Sequence, residues 1–179
     1  MTVLYRPVLT IGHSTRPIEE FLEMLKSHGV QQVVDVRTIP RSRHNPQFNQ
    51  ETLASSLRAS KVEYLHIKAL GGLRKARPDS VNDGWRNPSF RGFADYMQTE
   101  DFLRGMEQLL QAALSAKVTL VCAEAVPWRC HRSLIADALL VRGIPVQHIM
   151  TKDLSHEHEL TAWARVDRES ITYAKVVQD

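Results

Sequence analysis

The sequence predicts an α/β fold: a single domain with a central, mostly parallel β-sheet flanked by helices, in Rossmann-like layering. Three observations carry this expectation. Short β-branched runs alternate with amphipathic helical stretches from Val8 to Met150, the order that builds a parallel sheet covered by helices. One run, Val118–Ala123, is continuously apolar, as a strand buried on both faces is. The residues capable of chemistry cluster at strand-to-helix junctions, where open α/β sheets hold ligands.

The elements follow in order. Val8–Gly12 is an apolar strand ending in Gly-His-Ser. A helix over Pro17–His28 carries Pro17 and the pair Glu19 and Glu20 in its first turn, where both are favoured. Ile18, Phe21, Leu22 and Leu25 have helical spacing, and Gly29 ends the helix. Gln32–Val36 is a strand delivering Asp35 and Arg37 to its C-terminal end. The polar loop from Thr38 to Asn49 holds Pro40 and Pro46, which favour extended backbone before them. A helix over Gln50–Ala59 shows Leu53 and Leu57 on one face, and Val62–Ile67 is a strand running into Leu70, Gly71 and Gly72.

Leu73 to Arg91 shows no period and is long for a passive connection; loops of that length in compact domains are often functional. Helices are expected over Phe90–Met97 and Glu100–Ala116, the latter with Phe102, Met106, Leu109, Leu110 and Ala113 on one stripe. After the strand Val118–Ala123 a helix covers Cys130–Val141, stopped by Gly143 and Pro145, and Val146–Met150 closes the sheet. Residues 1–150 therefore form the α/β domain. Residues 151–179 form a charged extension, expected to hold a helix and an edge strand near Ile171–Val177.

Composition sets the partner classes. The 179 residues are 43% hydrophobic and 24% charged with a net charge of +3, enough for one sizeable core. Between Arg37 and Arg77 nine Lys or Arg stand against Glu51 and Glu63, a bias toward anionic partners. The start of the chain lacks a charged and apolar leader, and no run nears the roughly 18 apolar residues of a membrane span. Two cysteines make a poor disulfide framework for a domain of this size. The expected setting is the cytoplasm, with both thiols reduced and no membrane partner.

The densest chemistry lies in Val118–Arg132, where Cys122, Glu124, Cys130, His131 and Arg132 meet one strand-to-helix junction. Cys130 is expected to be the more reactive thiol, activated by a helix N-terminus and neighbouring cations; Cys122 is the alternative nucleophile. The six residues between Cys122 and Arg129 do not meet the strand-Cys-five-residue-Arg phosphatase loop. The spacing of the two cysteines also departs from that of structural zinc sites, so no metal ligands are assigned. Elsewhere, His13 at its strand tip suits acid/base chemistry, while Ser14 or Thr15 is expected to cap the next helix. Asp35, Arg37, Arg41 and Arg132 are candidates for substrate binding, since guanidinium groups suit bidentate anion contacts; Arg43 is a weaker one. Trp85 and Arg86, with Tyr64 or Tyr96, could stack on a base, although packing is the stronger reading. His156 and His158 are expected on a solvated surface.

The segments TIGHS at 10–14, DVR from Asp35 with a downstream Pro-x-Ser, Leu70-Gly71-Gly72, the Phe-Ala-x-Tyr-Met stretch at 93–97, and Cys122-Ala-Glu124 followed by Cys130-His131-Arg132 come in an order that resembles one bacterial and archaeal family, domain of unknown function 488. The resemblance spans Leu9–Met150. It implies an α/β fold and marks these motif residues; it assigns no reaction and no cofactor.

The residues themselves favour an enzyme, a hydrolase or transferase, that binds a phosphate- or nucleotide-like anion at the C-terminal edge of the sheet. His13, Glu124, Cys130 and His131 would be its catalytic groups. A non-catalytic nucleotide- or nucleic-acid-binding module and a metal- or redox-responsive thiol protein are the alternatives.

Overall fold

The computed structural model describes residues 4–177. Six strands form the main sheet: β1 (Val8–Gly12), β2 (Gln32–Asp35), β3 (Glu63–His66), β4 (Val118–Cys122), β5 (Val146–Ile149) and β6 (Ser155–Glu157), in the order β3-β2-β4-β1-β5-β6. The first five run parallel, and β6 adds antiparallel to β5. The expected α/β class and layering are therefore found.

Strand parity sorts the core into two layers. Leu9, Ile11, Val33 and Val121 pack against Phe21, Met24 and Leu25 of α1 (Ile18–Ser27) and Leu53 and Leu57 of α2 (Gln50–Ala59). Val8, Val34, Val118, Leu120 and Cys122 face α3 (Pro88–Tyr96), α4 (Glu100–Ser115) and α5 (Arg132–Leu140). Successive side chains on a strand alternate between faces, so each layer takes every second residue. The helices that follow β1 and β4 lie on opposite faces although these strands are neighbours. The tips of β1 and β4 thus flank a topological switch point, the place where such sheets open a crevice.

Local chemistry sets the element ends. Asn87 caps α3 by accepting from the Ser89 N–H at 2.8 Å, and Pro88 takes the first turn, so this helix starts two residues before the expected Phe90. Thr99 caps α4 through the Phe102 N–H. At α1 the expected Ser14 or Thr15 cap is replaced by Pro17, with no side-chain cap bond. Ser14 instead takes a left-handed φ of 50° and donates its N–H to the Ala123 carbonyl at 3.0 Å. α5 begins at Arg132 rather than Cys130, because Cys130 is extended (φ −134°, ψ 144°) after the 3-10 turn Pro127–Arg129.

The C-terminal extension contains no helix among the described residues, contrary to expectation. It supplies the edge strand β6 and a hairpin of β7 (Arg165–Asp167) and β8 (Ser170–Thr172), and Tyr173 to Val177 adds no further strand. It is bolted to the domain through Asp137 of α5, a carboxylate with no exposed surface. Asp137 accepts from His158 Nε2 (2.8 Å), the Thr161 N–H (3.1 Å) and the Tyr173 hydroxyl (2.8 Å). His156 is exposed as expected, but His158 is drawn inward by this carboxylate and by His148 at 2.9 Å.

Removing one partner of a buried charged network leaves the others unsatisfied and costs about 3–5 kcal/mol. Asp137→Ala is expected to lose roughly that much in urea unfolding and to open the 151–177 segment to limited proteolysis. A variant as stable and as resistant as the parent would show that Asp137 does not anchor the extension.

Candidate functional site

A cavity of about 410 Å³ opens at the C-terminal ends of β2 and β4. Its walls come from the loop after β2 (Arg37, Thr38, Ile39, Arg41), the loop after β4 (Cys122, Ala123, Glu124), the turn before α5 (Arg129, Cys130, His131) and the region of Gly72, Leu73 and Phe90. Two close approaches build it. A Cβ on Gly12 would lie 1.9 Å from the Glu124 carbonyl oxygen, so only glycine lets the β1 tip meet the loop after β4. A Cβ on Gly72 would lie 2.6 Å from His131 Nδ1, so the bare backbone there leaves room for the imidazole.

Both thiols are free and buried. Cys130 Sγ lies 3.6 Å from His131 Nδ1 and accepts the Arg132 backbone N–H at 3.5 Å. His131 Nε2 lies 2.8 Å from the Val36 carbonyl, which can only accept; the ring therefore donates from Nε2 and turns the lone pair of Nδ1 to the thiol. Burial works to raise the Cys130 pKa, but the adjoining Cys122 thiol, the Arg132 charge and the Arg132 N–H bring it down to about 7. Burial raises that of Cys122 well above the ordinary thiol value, with Cys130 adding to the effect. Of two touching sulfurs one holds the proton, and the helix N-terminus favours the anion on Cys130. Burial lowers the His131 pKa, which leaves a neutral imidazole able to accept a proton.

Arg132 is 1% exposed and sits beneath this pair. It donates to Cys122 Sγ (2.6 Å), the Glu124 and Ala125 carbonyls and Thr10 Oγ1 (3.3 Å). No described carboxylate pairs with it. From Thr10 a buried chain continues: Thr10 Oγ1 to His148 Nδ1 (2.6 Å), His148 to His158 (2.9 Å), and His158 to Asp137.

Not all of the residues expected at the site meet there. Cys122, Glu124, Cys130, His131 and Arg41 line the cavity, with Glu124 and Arg41 exposed. His13 does not line it; it is 2% exposed, stacks on Phe48 at 4.3 Å and keeps a neutral ring, its pKa lowered by burial to about 4. Asp35 has no exposed surface and holds Arg37 through both carboxylate oxygens, at 2.9 and 2.7 Å. The Arg37 guanidinium also donates to the Phe48 carbonyl and faces His13 Nε2 at 3.3 Å, so it reaches the cavity wall with its donors already engaged. Parity explains the division. His13 and Asp35 share the face of Ile11 and Val33, toward α1 and α2, whereas Cys122 shares that of Leu120, toward α5. Asp35, Arg37, Arg132 and His13, expected as open site residues, are therefore found buried, and all but His13 are held mainly by internal hydrogen bonds; of these four only Arg37 reaches the cavity wall.

Arg129 is the cavity residue missing from the expected binding set; its signal was adjacency to Cys130. It and Arg41 are exposed and make no ion pair with a described residue. Of the nine cations between Arg37 and Arg77, only Arg37 and Arg41 reach this cavity. The aromatic candidates are packed or bonded elsewhere: Trp85 stacks on Phe90 at 4.9 Å, Tyr64 donates to Asp35 at 2.7 Å, and Tyr96 donates to the Ala69 carbonyl at 2.6 Å. Among the described residues no group of three His, Cys, Asp or Glu side chains is placed to hold a metal ion. No helix among the described residues is long and apolar enough to cross a membrane.

The model of the family described as "Domain of unknown function DUF488" matches residues 17–139. The chain belongs to this family. The matched span includes the β2 tip, the Gly71-Gly72 pair and the whole Cys122–Arg132 junction, while His13 and the extension after Met150 lie outside it. No curated protein matches the chain, and no solved structure does.

Two buried histidines make a prediction for acid. His13 and His148 have pKa values lowered, chiefly by burial, to about 4 and about 3. The unfolded chain takes up these protons below about pH 6.5 and the folded chain does not. Stability should therefore fall as pH drops from about 6.5 toward 4, each histidine contributing about 1.4 kcal/mol per pH unit. His13→Gln should remove its share of that slope in urea unfolding at several pH values; an unchanged slope would mean that His13 is protonated in the folded state.

Proposed function

We propose that this chain is an enzyme that uses Cys130 as a nucleophile on a phosphate- or nucleotide-like anion seated in the cavity between β2 and β4. The observation that carries the reading is the Cys130–His131 pair, with its imidazole fixed from behind by the Val36 carbonyl. A nucleophile within reach of a base that a third group orients is the recurring arrangement of covalent catalysis.

The roles follow from position. Arg41 and Arg129, the open cations of the rim, take the substrate anion. His131 Nδ1 receives the Cys130 thiol proton, and the sulfur attacks the electrophilic centre of the substrate. The leaving group departs with that proton from His131. Glu124, exposed at the rim, takes a proton from the water or second substrate that then cleaves the covalent intermediate. Water as acceptor makes the enzyme a hydrolase, and another acceptor makes it a transferase. Arg132 holds Cys122 and the loop carbonyls in place and supplies the positive field that favours a thiolate.

Alkylation followed by peptide mapping tests this directly. Iodoacetamide should label Cys130 with a pH midpoint of about 7 and leave Cys122 unlabelled over the same time, and Cys130→Ser should remove the fast phase. Equal, slow labelling of both cysteines would withdraw the nucleophile.

The anion role has its own readout. Inorganic phosphate or a nucleoside monophosphate should protect Cys130 from alkylation at low salt. Loss of one exposed charge contact costs about 1 kcal/mol, so Arg129→Ala and Arg41→Ala should each raise the half-protecting concentration roughly fivefold. Absence of protection by either anion would remove the substrate class while leaving the thiol assignment standing.

A further inference from the structure

All three tryptophans of the chain, Trp85, Trp128 and Trp163, line a second cavity of about 540 Å³. It borders the first: in the Pro127–Arg129 turn, Trp128 faces this cavity and Arg129 faces the thiol cavity. Trp163 packs edge-to-face with Trp85, ring centroids 4.9 Å apart and planes 69° apart, so the two indoles form one continuous aromatic wall. Trp128 is 66% exposed and Trp163 37%, a large indole area to leave beside water at one spot.

The charge in the lining has one sign. Glu157 and Glu159 are both exposed at this cavity, and no Lys or Arg lines it. Of the three histidines there, His158 is engaged by Asp137 and His148, while burial first, with nearby positive groups, lowers the His148 pKa to about 3, so its ring stays neutral. His156 is exposed. The Trp85 indole N–H is the one buried side-chain polar atom without a partner among the described residues, and buried donors in folded proteins are almost always satisfied.

We propose that this cavity is a second binding site, for a small alkylated ammonium ion. Indole faces attract such a cation through the ring quadrupole, most strongly among aromatic side chains. The two glutamates add a complementary negative field. Alkyl groups on nitrogen suit the apolar lining, where an anion would meet two carboxylates and no Lys or Arg.

Because every tryptophan lies at this cavity, intrinsic fluorescence reports it. Titration with choline chloride, against sodium chloride as the ionic control, should give a saturable change. The uncharged isostere, with tert-butyl in place of trimethylammonium, should bind about tenfold more weakly or not at all. Trp163→Ala and Trp128→Ala should each weaken choline binding about fivefold, and the double variant Glu157→Gln with Glu159→Gln about threefold. An unchanged Cys130 alkylation rate in each variant would show that the fold and the thiol cavity are intact. The proposal is overturned if the isostere binds as well as choline, which would make the cavity a neutral apolar slot. It is overturned equally if choline gives no more change than sodium chloride.

Discussion

The Arg132 guanidinium is the interaction on which the site depends. A charge with 1% exposure and no described carboxylate partner must be stabilised by dipoles and by whatever nearby group can become negative. Here the dipoles are the Glu124 and Ala125 carbonyls and the Thr10 hydroxyl, and the ionisable neighbours are the two thiols. One side chain thereby joins β1, the loop after β4 and α5, and pulls their tips together beneath the cavity. The same charge favours a thiolate above it. The packing of the loop after β4 against the start of α5 and the lowered Cys130 pKa thus share this buried guanidinium.

The division of polar residues into two networks follows from the pleat of the sheet. His13, Asp35 and Arg37 tie the β1 and β2 tips on the α1 and α2 side, with Tyr64 and the Phe48 carbonyl completing the bonds. Cys122, Cys130, His131 and Arg132 work on the other side. The buried ion pair of Asp35 and Arg37 fixes where the loop to Arg41 begins, and so where the open cation of that loop stands. The first network positions one wall of the cavity, and the second places both thiols and the His131 imidazole at it.

Much of this was legible in the sequence. The alternation of strands and helices, the continuous run before Cys122 and the breakers at Gly29 and Gly143 placed the five parallel strands and the five helices to within a residue or two, while the edge strand β6 was not foreseen. The gathering of Cys122, Glu124, Cys130 and His131 at one junction pointed to the cavity. Depth was not legible. Whether Arg132 or Arg129 faces solvent depends on a 3-10 turn that delays α5 by two residues, and no residue pattern in Pro127–Cys130 announces that delay. Parity was available, since His13 stands two residues after Ile11 and Cys122 two after Leu120, but it separates the faces only once the register of β1 against β4 is known. The inward turn of His158 rests on Asp137, 21 positions away, a distance at which local patterns carry no information.

The central claim is that the Cys122 thiol and the buried Arg132 beside it bring the Cys130 pKa down to about 7, so that the thiol is about half ionised at neutral pH. Thiolate ultraviolet absorbance, titrated for the parent and for Cys130→Ser, measures it most directly. One absorbance step with a midpoint of about 7, present in the parent and missing in the variant, is the predicted result. A parent that shows no step until the range of ordinary thiols, about 8.5, or a step that persists in Cys130→Ser, would contradict the account.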